Sequence, residues 1–172
     1  GGGPCGSDAA AYNAMNGCKV LLIEKETWPR DKPCGDAVGG KSLSHVEELG
    51  VKAMIEGTPH FRVDSIIFGS ANGSAVRVML PKEEFEKKMA GYSLPRVQFD
   101  YMMFKRATEL VLEAGGAVIQ GFSVMDVSTE YMRVTGIAGR LGGRHSTNPS
   151  LSFKAPLTVG AGGYNCPVAK TV

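Results

Sequence analysis

The sequence predicts an α/β fold built around a nucleotide-binding turn, and three observations carry that prediction. The chain opens Gly1-Gly2-Gly3-Pro4-Cys5-Gly6, which places Gly1, Gly3 and Gly6 at G-x-G-x-x-G spacing. Residues 7–16 follow as a small, alanine-rich stretch before Gly17, suited to a helix pressed on a sheet and capped by glycine. Then Lys19-Val20-Leu21-Leu22-Ile23-Glu24 reads as a short buried strand tipped by an acid.

These are the parts of a dinucleotide-binding turn. The first glycine makes the tight turn, and the second admits a pyrophosphate to the backbone. The third lets the following helix pack closely, with its N-terminal amides aimed at the phosphates. An acid about 20 residues farther on is where the ribose hydroxyls of the adenosine half are held. Glycine spacing alone says little in a chain with 23 glycines among 172 residues. The helix and the acid-tipped strand give it weight. No strand precedes Gly1 in the sequence, so the chain reads as starting inside its own motif. Residues 19–24 and 157–160 are therefore expected to flank a gap in their sheet.

Composition sets the outer bounds. A hydrophobic content of 43% with 21% charged residues fits a globular domain with its own core. A net charge of +2, with the basic residues dispersed, gives no nucleic-acid footprint. Cys5, Cys18, Cys34 and Cys166 form no C-x-x-C pair, which favours a reducing cytoplasm over a disulfide framework. No apolar run approaches the roughly 18 residues that span a bilayer, leaving peripheral contact as the expected mode at a membrane. His45, His60 and His145 lie far apart without zinc-type spacing, and no metal site is predicted.

Farther along, residues 27–36 form a loop broken by two prolines. Residues 44–49 and 51–55 read as short helical turns around Gly50, and 63–68 with 75–80 as a hairpin about Ala71-Asn72-Gly73. That hairpin belongs to a β-rich insertion around residues 61–95, in which 82–89 carries a polar, helical pattern. Residues 98–114 predict an amphipathic helix with Phe99, Met102, Met103, Ala107, Leu110 and Val111 on one stripe, ended by Gly115-Gly116. A strand at 117–120 and a β-pair at 123–128 and 132–137 come next, then a loop over 139–150. A strand at 157–159 runs into Gly160-Ala161-Gly162-Gly163, and 164–170 opens a last helix.

Four segments carry a family likeness: GGGPCGSDAA, VLLIEK, PRDKPCGDAVG, and LPRVQFD with the later VGAGGYNCPVAK. Through them the chain resembles the first part of the glutathione-reductase-like FAD proteins. Among these it is most similar to the geranylgeranyl reductase family, which includes archaeal digeranylgeranylglycerophospholipid reductases. The Pro-Arg-x-Lys-Pro-Cys-Gly-Asp loop is the most specific of the four. The resemblance implies a Rossmann-type FAD/NAD(P)-binding fold with the first strand and the C-terminal part missing. Residues 1–172 would then form a partial FAD-binding domain.

It also implies residue roles. Gly1, Gly3, Cys5 and Gly6 fall at the FAD pyrophosphate, Glu24 at the adenosine ribose, and the Val124 backbone beside the adenine. Cys34, Gly35 and Ala37 fall beside the flavin, and Arg96 reaches back to the cofactor. Gly160 and Gly163 belong to the last cofactor-facing segment, where Gly162 stands in place of the family's aspartate. The implied reaction is FAD-dependent reduction of isolated C=C bonds in geranylgeranyl chains, with Cys34 as proton donor. Electrons would come from NAD(P)H or a reduced ferredoxin partner, and the lipid substrate implies work at the inner face of the cell membrane. An FAD monooxygenase or halogenase is the alternative enzyme, and a flavin module passing electrons to a quinone is the alternative of another class. Each singled-out side chain also has a plainer reading: Glu24 a solvated strand end, Arg96 a surface ion pair, Cys34 a buried structural thiol.

Overall fold

A computed structural model describes residues 1–34, 36–81 and 91–171, and the expected helical pattern at 82–89 lies outside them, as does Gly35. The described chain forms two compact units, Gly1–Arg30 with Asp100–Val172, and Asp31–Phe99.

The first unit holds helix α1 (Pro4–Met15) and strand β1 (Leu21–Ile23). Helix α1 starts one turn earlier than the alanine run suggested. Gly3 is its extended N-cap and Pro4 occupies the first turn, where a fixed φ and a missing N–H cost nothing. Its buried face is Gly6, Ser7, Ala10, Ala11 and Ala14, all small enough for close approach. Gly17, at φ 79°, ends it.

Taking the remaining elements in chain order, the second unit contributes β2 (Ala37–Val38), α2 (Ser42–Glu48), α3 (Val51–Glu56), β3 (Phe61–Arg62), β4 (Ser65–Gly69), β5 (Ala75–Met79) and β6 (Tyr92–Ser93). Strands β2 and β3 flank β6 in one small antiparallel sheet, and β4 pairs with β5 in a separate hairpin. Gly73, at φ 87°, makes the turn of that hairpin. Val46, Val51, Ile55 and Tyr92 are buried in this unit, and Tyr92 Oη donates to Glu56 Oε1 at 2.9 Å. Helix α4 (Arg96–Glu113) begins in the second unit's residues and continues in the first. Of its predicted stripe, Phe99, Met103, Ala107 and Val111 are buried, whereas Met102 and Leu110 are only half-buried. Asp100 and Phe104, which the apolar pattern did not select, complete the buried face.

After α4 come β7 (Ala117–Ile119), β8 (Phe122–Glu130), β9 (Arg133–Leu141), β10 (Leu151–Lys154) and helix α5 (Pro167–Thr171). Strands β1 and β7 run parallel with Leu22 opposite Val118, as an α/β nucleotide fold requires. Strands β8 and β9 form a long hairpin, and β10 adds to its far side. Two expectations fail here. Residues 139–141 are not loop but the end of β9, held by Val124 and Arg140 pairings across to β8, and Leu151–Lys154 forms a strand. Residues 157–159 make no strand ladder among the described residues, and Leu157 and Val159 are 72% and 53% exposed. A β-rich run becomes a strand only where a neighbour completes its hydrogen bonds.

Two predictions follow from this packing. A Cβ at Gly116 would collide with the Val20 carbonyl oxygen and stand 2.8 Å from Val111 Cγ1. Gly116→Ala should lower stability by about 1–3 kcal/mol in urea unfolding, and an unchanged midpoint would mean that Val20 and Val111 do not crowd Gly116 as described. In the second unit, burial first and then the Glu56 hydrogen bond push the Tyr92 phenol up to about 12 from 10.0. The folded state keeps that proton while the unfolded chain loses it, so this contribution is whole below pH 10.0 and disappears as pH rises toward about 12. The wild-type-minus-Tyr92→Phe stability difference should shrink across that window; a constant difference would contradict the assignment.

Candidate functional site

The glycine turn is tied to strand β1 by one side chain. Glu24 follows β1 and is only 4% exposed, which overturns the reading of a solvated strand end. Its Oε2 accepts the Gly2 N–H at 2.6 Å and its Oε1 the Glu26 N–H at 2.9 Å. Its own N–H donates to the Ile119 carbonyl at 2.9 Å, and its carbonyl accepts the Phe122 N–H at 3.0 Å. One residue therefore joins the turn, β7 and the start of β8. From α1, Ser7 Oγ donates to the Gly2 carbonyl at 2.9 Å, so both polar groups of Gly2 are held.

Close backbone approach accounts for two of the three spaced glycines. A Cβ at Gly6 would collide with the Gly1 carbonyl oxygen, so the third glycine seats α1 on the turn itself. A Cβ at Gly1 would come within 2.6 Å of the Ala161 carbonyl oxygen, which brings the late glycine-rich segment against the first. Gly160 lies against Val168 and Ala169 of α5, and Gly163, at φ 75°, accepts the Cys166 N–H at 3.0 Å as that helix begins. A side chain at Gly162 would stand 3.1 Å from Cys166 Cα, so the missing aspartate and the buried Cys166 belong to one local packing solution. Burial pushes the Cys166 thiol up, but the amides of Ala169, Gly162 and Val168 outweigh it and hold the thiol below its usual range. Val124, half-buried on β8, pairs with Gly139 beside a bulge.

Arg30 was not singled out by the sequence reading, although it lies inside the quoted loop motif. Its guanidinium carbon stands 4.4 Å from the centroid of the Trp28 ring. Nη1 is 3.7 Å from Oδ2 of the buried Asp100, and Nη2 lies 3.1 Å from where a Cβ on Gly3 would stand. Trp28 stacks on Phe104 and Tyr101 at 5.0 and 6.2 Å between centroids, and Phe104 presses against Gly2. Among the described residues Trp28 Nε1 is buried without a hydrogen-bond partner, so the indole serves through its faces.

These features fit the pyrophosphate and ribose of a dinucleotide. Helical geometry leaves the Cys5 and Gly6 amides without intrahelical acceptors, at the end of α1 that favours anions. Cys5 exposes a small thiol there, and its contacting group is the amide. The Arg30 guanidinium adds a cation with a fork suited to phosphate oxygens. An ionised carboxylate offers about four acceptor sites, and backbone amides fill one on each oxygen of Glu24, leaving capacity for ribose hydroxyls.

The second unit assembles the remaining predicted residues among themselves. Asp36, at φ 53°, holds a strained backbone that non-glycine residues seldom adopt. Its Oδ1 accepts the Arg96 N–H at 3.0 Å, and its carbonyl accepts the Leu94 N–H at 3.1 Å. The motif loop is thereby fastened to the first residue of α4. Ala37 begins β2 opposite Ser93. Cys34 is exposed, so the reading of a buried structural thiol does not hold. Arg96 is half-buried. No group of residues suited to a metal ion occurs among those described.

Glu24→Ala should weaken FAD binding and also destabilise the fold, by about 1.5–3 kcal/mol for a lost charge-assisted bond to a buried amide. Gly6→Ala should abolish FAD retention outright. Flavin titration and thermal melting of both variants check this; Glu24→Ala losing FAD at unchanged stability would show that the carboxylate acts on ligand alone.

The chain is 30% identical over 133 residues to the menaquinone reductase of Mycobacterium tuberculosis, covering 77% of this chain and 30% of that protein. It is 30% identical over 174 residues to digeranylgeranylglycerophospholipid reductase 1 of Methanothermobacter thermautotrophicus, covering 99% of this chain and 39% of that protein. The chain thus spans roughly a third of the length of these relatives. Among solved structures it is similar to the myxobacterial chondrochloren halogenase, with TM-score 0.73 and 25% identity, over 90% of this chain and 34% of that one. A family model described as the FAD binding domain matches residues 1–172, and the chain belongs to that family of FAD-dependent flavoproteins.

Proposed function

We propose that the full-length protein uses FAD to reduce isolated C=C bonds in the geranylgeranyl chains of isoprenoid membrane lipids or their precursors. The observation that carries this reading is the motif loop, in which Asp36 accepts the Arg96 N–H at the head of α4 and the Cys34 thiol is exposed. Support comes from the similarity, along 99% of this chain and 39% of the other protein, to a digeranylgeranylglycerophospholipid reductase.

Bound FAD would supply the hydride. The chain's residues would supply position and a proton. Gly1, Gly3, Cys5 and Gly6 with Arg30 would hold the pyrophosphate, and Glu24 the ribose. Gly160, Gly163 and the Val124 backbone would line the cofactor's flanks, with Gly35, Ala37 and Arg96 toward the flavin. An unactivated alkene takes a hydride on one carbon and a proton on the other. Cys34 would give that proton from its thiol and regain it from solvent. The two electrons per bond would enter from NAD(P)H or a reduced ferredoxin. No helix among the described residues is long and apolar enough to cross a membrane. The lipid substrate would be met at the inner face of the membrane.

A second reading is favoured by the menaquinone reductase similarity. A menaquinone carries both a quinone ring and an isoprenoid tail, and transfer to the ring needs no thiol proton donor. The halogenase likeness favours oxygen chemistry instead, but the Pro33-Cys34-Gly35-Asp36 loop argues against it. Product masses separate the three: hydrogenated prenyl chains, a reduced quinone ring, or oxygenated or halogenated products.

Cys34→Ser should keep bound FAD and the melting temperature while slowing prenyl reduction by roughly a hundredfold or more, the usual scale of general-acid catalysis. Single-turnover oxidation of the reduced enzyme by a geranylgeranyl lipid measures it. Equal rates for both proteins would remove Cys34 from the chemistry.

A further inference from the structure

We propose that Asp100 is a positioning residue that presets the Arg30 guanidinium as a phosphate clamp at the glycine turn. The inference rests on FAD binding as established by the family and concerns how this chain achieves it. Asp100 is 0% exposed, and a charge in that position needs a partner in the interior. It has one in Arg30 Nη1, at 3.7 Å. The guanidinium is fixed on a second side by the Trp28 ring at 4.4 Å. Trp28 is fixed in turn by Phe104, which sits on the same face of α4 as Asp100 and presses on Gly2.

One helix face therefore orients the arginine twice, by charge through Asp100 and by stacking through Phe104 and Trp28. What is left of the guanidinium points where a clamp is useful. Nη2 lies 3.1 Å from where a Cβ on Gly3, the N-cap of α1, would stand. The second glycine of the turn thus leaves space for a cation as well as for a ligand. A long arginine normally loses much rotamer freedom on binding, and a side chain already held gives up less. On the phosphate Asp100 acts through Arg30, without touching the ligand itself.

The test uses the full-length protein, freed of flavin and titrated calorimetrically with FAD, ADP and adenosine. Asp100→Asn and Arg30→Gln should each weaken FAD and ADP roughly ten- to a hundred-fold while leaving adenosine unchanged. The double variant should be no weaker than Arg30→Gln alone, because both changes remove one device. Should Asp100→Asn fold poorly, Arg30→Lys serves: it keeps the charge, loses the fork, and should still weaken ADP against adenosine. Retained ADP affinity in Asp100→Asn or in Arg30→Lys would overturn the proposal, as would an equal loss for ADP and adenosine. A wild-type protein that binds neither FAD nor ADP would instead refute FAD binding itself.

Discussion

The hydrogen bond from the Gly2 N–H to the Glu24 carboxylate, at 2.6 Å in a buried setting, is the contact on which the rest of the cofactor face depends. A glycine turn has no side chains with which to hold its shape. Here the shape is imposed from outside by the acid at the end of β1, and from α1 by Ser7. Because the backbone of Glu24 also bonds to Ile119 and Phe122, the turn is referenced directly to the sheet. An unmade bond at either partner would strand a buried donor or a buried charge, so the arrangement is strongly specified.

From that anchor the other parts follow by close packing. Gly6 seats α1 on Gly1, Gly1 abuts Ala161, and Gly2 lies under Phe104. Each of these contacts tolerates no Cβ, or only a shifted neighbour. The glycines are therefore answers to backbone approach rather than to flexibility. The second unit solves its own version of the problem with a side chain: Asp36 accepts a strained φ of 53° so that its carboxylate and carbonyl can hold Arg96 and Leu94. Strain held by two hydrogen bonds is a pattern that marks functional loops.

How far the sequence could be read depended on whether the decisive partner was local. The α1 helix, β1, the β4–β5 hairpin and the α4 stripe are local patterns of period or turn chemistry, and they were legible. The start of α1 at Pro4 was missed because the alanine run outweighed a proline whose only signal is positional. The extension of β9 to Leu141 through glycines, and the lack of a ladder at residues 157–159 among the described residues, turn on partners distant in sequence. The candidate site divides the same way. The glycines and Glu24 follow a spacing rule. Arg30 and Asp100 are 70 residues apart, and nothing in either stretch announces a pair. Asp100 is a charged residue buried on the apolar face of α4, where the hydrophobic period gives no sign of it.

The central claim is that the turn is preformed by Glu24 before any cofactor arrives, and the Gly2 amide reports on it most directly. Nuclear magnetic resonance of flavin-free protein labelled with 15N-glycine would follow that proton. A short bond to a buried carboxylate predicts a strongly downfield Gly2 amide, protected from solvent exchange and shifted back toward the ordinary glycine range by Glu24→Gln. A Gly2 amide that exchanges at the rate of an unstructured chain, and becomes protected only when FAD is added, would contradict the account.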